Sequence, residues 1–365
     1  MADADLPVLD LVGDARARGR AHGEAHADAI RRFADERVRL AGDPLWSGRS
    51  VDRDGVLELA DACWDAHRRY APELAEETVG MAEATGLSTA ELIVVGGFTD
   101  VVDAVHGSGR SAPDAEAPHA ALNCTAFLVP PERAEGGVGL FAQTWDMHET
   151  STQHVLLLAG QPTGEPHFLA FSSAGCLGMI GMNEYGITVG INNLAGADGR
   201  AGVTWPFVVR QVLRQRSFDD ALAAIVDAPL AGAHNYLLMD VDGRGANVEA
   251  MATRVEVTPL ADRALVHTNH VLHDANLPLE RPKDPLGMAS SHVRQARGEE
   301  LLNRRNLSVE DAMEITRDGQ AICYRGAPPK YVATCGAVVA RPASRELWAL
   351  RGLPSERAYR RWSLA

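Results

Sequence analysis

The stretch ALNCTAFLVPPERAEGGVGLFAQTWD, residues 121–146, decides how the rest of the chain is read. TAFLV (125–129) and GLFAQTW (139–145) are apolar or alternating runs of strand length, and PERAEGG between them is rich in turn formers. The pair reads as a hairpin. One strand opens at Cys124, and the returning strand brings Asp146 to its end beside that opening. A carboxylate placed there can orient the group that deprotonates a thiol nucleophile. Taken singly, each residue has a plainer reading: a small buried cysteine and a solvated strand-end aspartate.

Working outward toward the N-terminus, GSGRSAPDAEAPHA (107–120) has almost no large apolar residue and reads as an exposed loop. The first hundred or so residues before it read as helical. Residues 15–33, 52–69, 73–85 and 88–105 carry apolar positions at three- and four-residue spacing. Ser88 with Glu91 forms a capping-box pattern. Toward the C-terminus the period shortens. HVLLLAG (154–160), HFLAFSS (167–173) and GITVGINNL (186–194) read as strands, the last as half of a glycine-punctuated pair beginning at GCLGMIGMN. Helices are expected at 205–215 and at 218–228, where Ser217 is the N-cap. Strand patterns return at 235–243, 246–251, 254–260 and 264–270, followed by helices near 288–303 and 308–316 and strands near 332–340 and 346–351. Helices and strands segregate in blocks, which predicts an α+β fold with largely antiparallel sheets.

Composition narrows the class of function. The 365 residues are 46% hydrophobic and 23% charged, enough to bury a large core. A net charge of −14 without a basic patch argues against a nucleic-acid partner. No run approaches the length of a membrane span and no secretory signal is visible. Five widely spaced cysteines, with no CxxC pair, argue against a disulfide framework and a zinc site. The expectation is a reduced, cytoplasmic enzyme, and the low aromatic content with abundant Ala, Arg, Gly and Asp suits a high-GC bacterial genome.

Six short pieces then fall in a telling order: NCTAF (123–127), QTWD (143–146), GMNEYGITVGINNL (181–194), NYLLMDVDG (235–243), HTNH (267–270) and SSHVR (290–294). Each alone is weak. Together, and with the G-x-x-x-G helix start at 15–30 and the closing TCGAVVARPASRELWALRGLPSERAY (334–359), they resemble the peptidase C45 family. That family is the acyl-coenzyme A:6-aminopenicillanate acyltransferase-like branch of the N-terminal nucleophile (Ntn) hydrolases. The resemblance implies an αββα sandwich of two mainly antiparallel sheets flanked by helices, with a helical N-terminal region. It also implies cleavage between Asn123 and Cys124, giving a light chain of 1–123 and a heavy chain of 124–365 that stay associated. Some members have glycine where this chain has Asn123.

Roles follow from the resemblance residue by residue. Cys124 is the nucleophile and its freed α-amine the base. Asp146 orients that amine, Asn235 donates to the oxyanion, and Arg294 in the S-x-x-R helix start supplies positive charge, with Arg297 one turn on as the alternative. The expected activity is cleavage of a small N-acyl or N-aminoacyl amide, needing no cofactor. The first alternative is acyl transfer to an amine, with acyl-coenzyme A as a co-substrate. The second is an unprocessed, non-catalytic member. Asn192 and Asn193 are either strand-end turn residues or support for the site. His267 and Asn269 of HTNH are read as structural or pocket-lining rather than as metal ligands. Glu249 is expected to pair with an arginine, Trp145 to sit in the core or line the pocket, and Cys176 to be a packing residue.

Overall fold

The computed structural model describes residues 5–109, 124–282, 285–326, 328 and 331–364. The expected 107–120 loop beyond Gly109 and the residue Asn123 lie outside them. The chain begins with a strand, β1 (Val8–Gly13), where the helical reading had started only at Ala15. Seven helices follow: α1 (Ala15–Ala41), α2 (Pro44–Ser47), α3 (Arg53–Asp61), α4 (Trp64–Tyr70), α5 (Pro72–Thr85), α6 (Thr89–Gly96) and α7 (Phe98–Gly107). The stretches read as single helices at 52–69 and 88–105 are each broken in two. The capping box at Ser88 and Glu91 is formed.

The G-x-x-x-G pattern of α1 has a steric cause. A Cβ at Gly19 would lie 1.8 Å from the Glu77 carbonyl oxygen, and one at Gly80 only 2.2 Å from that of Arg16. Only glycine lets α1 and α5 approach so closely. At this contact Glu77, 1% exposed, accepts from Arg18 of α1 at 2.9 Å.

The strands form two sheets. The first contains β4 (Val155–Pro162), β5 (Phe168–Ser173), β6 (Ile180–Asn183), β7 (Thr188–Asn193), β8 (His234–Met239), β9 (Gly245–Ala250) and β10 (Val255–Pro259) in that order, with β1 added in parallel to β4 at its edge. The second has the order β11 (Leu265–His267), β2 (Thr125–Val129), β3 (Leu140–His148), β12 (Val332–Arg341), β13 (Glu346–Arg351) and β14 (Arg360–Ser363), all antiparallel. Two helices, α8 (Trp205–Leu213) and α9 (Phe218–Val226), pack on the first sheet, and Ser217 caps α9 as expected. The remaining two, α10 (Pro285–Leu302) and α11 (Val309–Thr316), pack on the second. The fold is therefore an αββα sandwich. No single helix among the described residues is long and apolar enough to cross a membrane.

Alternation along the strands sorts side chains to the two faces of each sheet. Phe127, Val129 and Ala142 pack with Leu302, Val309 and Ile315 on the helix side of the second sheet. Ala126, Leu128 and Phe141 belong to the central core between the sheets. Gln143 spans that core. Its side chain donates to the Ile191 carbonyl, and its Oε1 accepts from the Ile191 N–H at 3.0 Å.

Candidate functional site

Cys124 lies immediately before β2 and is 2% exposed. By alternation it shares the inter-sheet face with Ala126 and Leu128. Its sulfur is held by the backbone of Asp146, whose N–H points at Sγ from 3.4 Å while the thiol faces the Asp146 carbonyl at 3.6 Å. The hairpin brings the two together as the register requires: Thr125 pairs with Thr144, so β2 opens beside the end of β3. Opposite that end, β12 carries an irregularity between Thr334 and Gly336, and Cys335 is the residue skipped there.

Asp146 is fully buried, and neither carboxylate oxygen has a hydrogen-bond partner among the described residues. The Thr334 and Thr144 hydroxyls lie near enough to favour its charge, without hydrogen-bonding geometry to it. Burial pushes the carboxyl up to about 7 despite the opposing pull of Arg294. A buried carboxylate with two open acceptors is costly to maintain, and native chains keep such groups where a ligand or a reaction uses them. Burial, reinforced by the Asp146 charge, pushes the Cys124 thiol up to about 12. No histidine nitrogen is hydrogen-bonded to the thiol among the described residues. In the continuous chain the sulfur is therefore a protonated, weak nucleophile at neutral pH.

Arg294 ties the site together. It is 1% exposed and sits in the middle of α10 rather than at its start, because the helix begins by Pro285. Its Nη1 donates to the Cys124 carbonyl at 2.5 Å and to Thr125 Oγ1 at 3.2 Å, and its Nη2 donates to Asn269 Oδ1 at 3.0 Å. Asn269 in turn donates to the Asn193 carbonyl at 3.0 Å, linking the second sheet to β7. Burial lowers the Arg294 guanidinium to about 10, leaving it charged at neutral pH.

Across the inter-sheet space stand Asn192 and Asn235, paired in register on β7 and β8. Their face of the first sheet looks toward β3. A Cβ at Gly190, two residues from Asn192, would lie 2.2 Å from Gln143 Oε1. Both asparagines are fully buried, and all four of their side-chain polar atoms lack a partner among the described residues. Asn193 is different. Its Oδ1 accepts from the Ala195 N–H at 3.0 Å, which makes it the strand-end turn residue of the pair.

The other expected residues fall elsewhere. Arg297 is taken up by Asp318 at 2.9 Å and Glu300 at 2.8 Å, whereas Arg294 holds the Cys124 carbonyl. Trp145 is a core residue between the sheets, its ring edge-on to Phe171. Glu249 pairs not with an arginine but with His267, at 2.9 Å, because the end of β11 and the Leu272–His273 amides that follow it close over the β9 carboxylate. The second ring nitrogen of His267 meets the Thr268 carbonyl at 3.0 Å. Cys176 is buried in the core. Sequence reasoning missed Thr125, Thr144, Thr334 and Cys335, and the available signal was polar or thiol side chains at the same strand ends as Cys124 and Asp146.

A family model described as acyl-coenzyme A:6-aminopenicillanic acid acyl-transferase matches residues 133–356. The match takes in Asp146, Asn192, Asn235 and Arg294 and begins nine residues after Cys124. Among solved structures, the chain is similar to a mutant conjugated bile acid hydrolase from Clostridium perfringens, at 11% identity and a TM-score of 0.46, over 66% of this chain and 97% of that one. It is also similar to penicillin V acylase from Agrobacterium tumefaciens, at 13% identity and a TM-score of 0.43, over 62% of this chain and 83% of that one.

Proposed function

The chain belongs to the acyl-coenzyme A:6-aminopenicillanic acid acyl-transferase family, and from this we propose that it is a self-activating thiol enzyme that breaks the amide bond of a small N-acyl or N-aminoacyl compound. One observation carries the reading. Cys124 opens β2 on the inter-sheet face against the Asp146 backbone, with the unpartnered Asn192 and Asn235 on the facing sheet and the Asp146 charge near enough to act on the thiol.

Activation proceeds at the Asn123–Cys124 bond. The Cys124 sulfur adds to the Asn123 carbonyl, the C–N bond breaks, and the departing nitrogen takes the thiol proton. Water then hydrolyses the thioester. The products are residues 1–123 with a new carboxylate and residues 124–365 with a free α-amine at Cys124. That amine has an ordinary pKa near 8 and serves as the base that the buried thiol lacks. The two open oxygens of Asp146 give the resulting ammonium a place to donate. Glu77 supports lasting association of the two pieces, because it pairs with Arg18 in the first and with Arg210 in the second.

In turnover the thiolate attacks the substrate carbonyl carbon, and the oxyanion receives a hydrogen bond from Asn235 Nδ2. The α-ammonium returns its proton to the leaving amine, leaving the acyl group as a thioester on Cys124. Water, deprotonated by the same amine, releases the acid. The cycle needs no metal or cofactor. The family's name favours a second reading, in which an amine rather than water takes the acyl group and acyl-coenzyme A is the donor.

The test is to incubate the purified protein with a panel of N-acyl amines, with and without a competing amine, and follow products by mass spectrometry. Acid release and an acylated peptide beginning at Cys124 support hydrolysis, and a new amide at the expense of acid supports transfer. Turnover that survives in Cys124→Ala rejects both.

A further inference from the structure

We propose that a cleft independent of Cys124 binds an amine carrying an apolar body. The cleft has a volume of about 770 Å3 and lies where both sheets end, between β9 and β10 on one side and β11 and α10 on the other. Strand β11 separates it from the thiol: His267 pairs with Ala126 of β2, and the cleft opens on the far side.

Its polar wall is unusual for a sheet edge. Glu249 and Glu256 stand directly opposite each other on neighbouring strands, and Asn247 opposes Thr258 one step along the same face. All four line the cleft. Like charges in direct cross-strand register destabilise a sheet unless a cation relieves them. Glu249 is 1% exposed and is fixed as a carboxylate. Burial pushes its pKa up, but the His267 ring at 2.9 Å and the Leu272 and His273 amides outweigh that and hold it below the usual range. Glu256 has the His273 ring at 3.6 Å. Glu299 adds a further carboxylate at the helix wall, where it accepts from Gln295 at 2.8 Å.

Two further atoms point to a donor ligand. Asn247 is 5% exposed and lines the cleft, yet its Oδ1 has no partner among the described residues. Gln295 Oε1 is in the same condition. On the cationic side stand Arg133, whose Nε and Nη1 donate to the Asp262 and Arg304 carbonyls, and Arg263; four glutamates, Glu249, Glu256, Glu299 and Glu300, outnumber them. The wall is thus rich in acceptors and negative charge, which suits an ammonium group with three donors and no acceptor. Leu265, Val266 and Leu272 give the rest of the ligand an apolar surface. The volume is that of a small-molecule site. A carboxylate ligand would meet Glu249, Glu256 and Glu299 and is disfavoured, because the glutamates of the lining outnumber its two arginines.

The test is calorimetric titration of the full chain with phenethylamine, 2-phenylethanol and 3-phenylpropionate. Phenethylamine is expected to bind saturably with one site, and the alcohol and the acid at least about tenfold more weakly. Glu256→Gln, on a part-exposed edge strand, should weaken the amine about tenfold, while Cys124→Ala leaves it unchanged. As a check that needs no variant, phenethylamine should slow amide hydrogen exchange across residues 245–259 of the wild-type protein. Equal binding of the acid, an unaltered Glu256→Gln affinity, loss of binding in Cys124→Ala, or unchanged exchange at 245–259 would each overturn the site. Because Cys124→Ala removes turnover but not this cleft, failure here and failure of the proposed catalysis read out separately.

Discussion

Replacing Asn235 with leucine should move stability and activity in opposite directions. In the folded chain both polar atoms of the Asn235 side chain are buried without a partner among the described residues. Each such atom costs about 1–3 kcal/mol of desolvation, so the amide as a whole destabilises the fold by about 2–6 kcal/mol. Leucine keeps the branched skeleton and removes both polar atoms. The extra volume of its methyls gives back about 1–3 kcal/mol as crowding. The net expectation is a gain of about 1–3 kcal/mol, which for a chain of this length raises the melting temperature by about 1–4 °C. Activity should fall by about 10²–10³ in kcat, the usual cost of one missing oxyanion donor. The assay pairs thermal unfolding by circular dichroism with turnover of the best N-acyl amide from the panel, both on the processed protein. A lower melting temperature with activity within tenfold of wild type would make Asn235 a structural residue and not an oxyanion donor.

Asp146→Asn tests the buried carboxyl through pH. A carboxyl raised from about 4 in the unfolded chain to about 7 in the folded one keeps its proton longer when folded. Stability from this group is therefore fully present at low pH and is lost as pH rises from about 4 to about 7, at about 1.4 kcal/mol per unit. Urea unfolding at pH 4.5 and 7.5 should show a flatter dependence in the variant by about 3 kcal/mol, and an equal slope in both proteins would contradict the assignment. Glu77→Gln should destabilise by about 3–5 kcal/mol, because it strands two buried guanidinium groups. As Arg18 and Arg210 lie on either side of the 123–124 bond, the processed pieces should also separate at lower urea, seen by size-exclusion chromatography. Coelution of the two pieces at wild-type urea concentrations would count against that tie.

The layer order was legible because periodicity changes sharply at Cys124, from helical spacing before it to short alternating runs after it. The hairpin at 125–145 and the glycine-punctuated pair that became β6 and β7 were readable for that reason. β1 was not. VLDLVG is a short edge strand whose pairing with β4 depends on a partner some 150 residues away, and nothing local marks it. Helix breaks at Ala62–Cys63 and at Gly97 were hidden because the apolar spacing continues through both. The proximity of Cys124 and Asp146 was legible from one hairpin. Arg294 was placed by resemblance, and its actual work, holding the Cys124 carbonyl and Asn269, depends on how α10 lies across β2. Glu249 was assigned the wrong kind of partner because a carboxylate in a strand says nothing of the strand beside it. The different fates of Asn192 and Asn193 likewise come from alternation at a strand end, where one side chain faces the other sheet and the next turns back on the loop.

Intact-mass analysis of the purified wild-type protein beside Cys124→Ala shows whether the 123–124 bond is cut by Cys124 itself. Two wild-type polypeptides are expected, ending at Asn123 and beginning at Cys124, whose masses sum to the full chain plus one water, with a single uncut polypeptide for the variant. A Cys124→Ala protein that still divides between residues 123 and 124, or a wild-type protein that turns over amides while remaining one chain, would contradict that expectation.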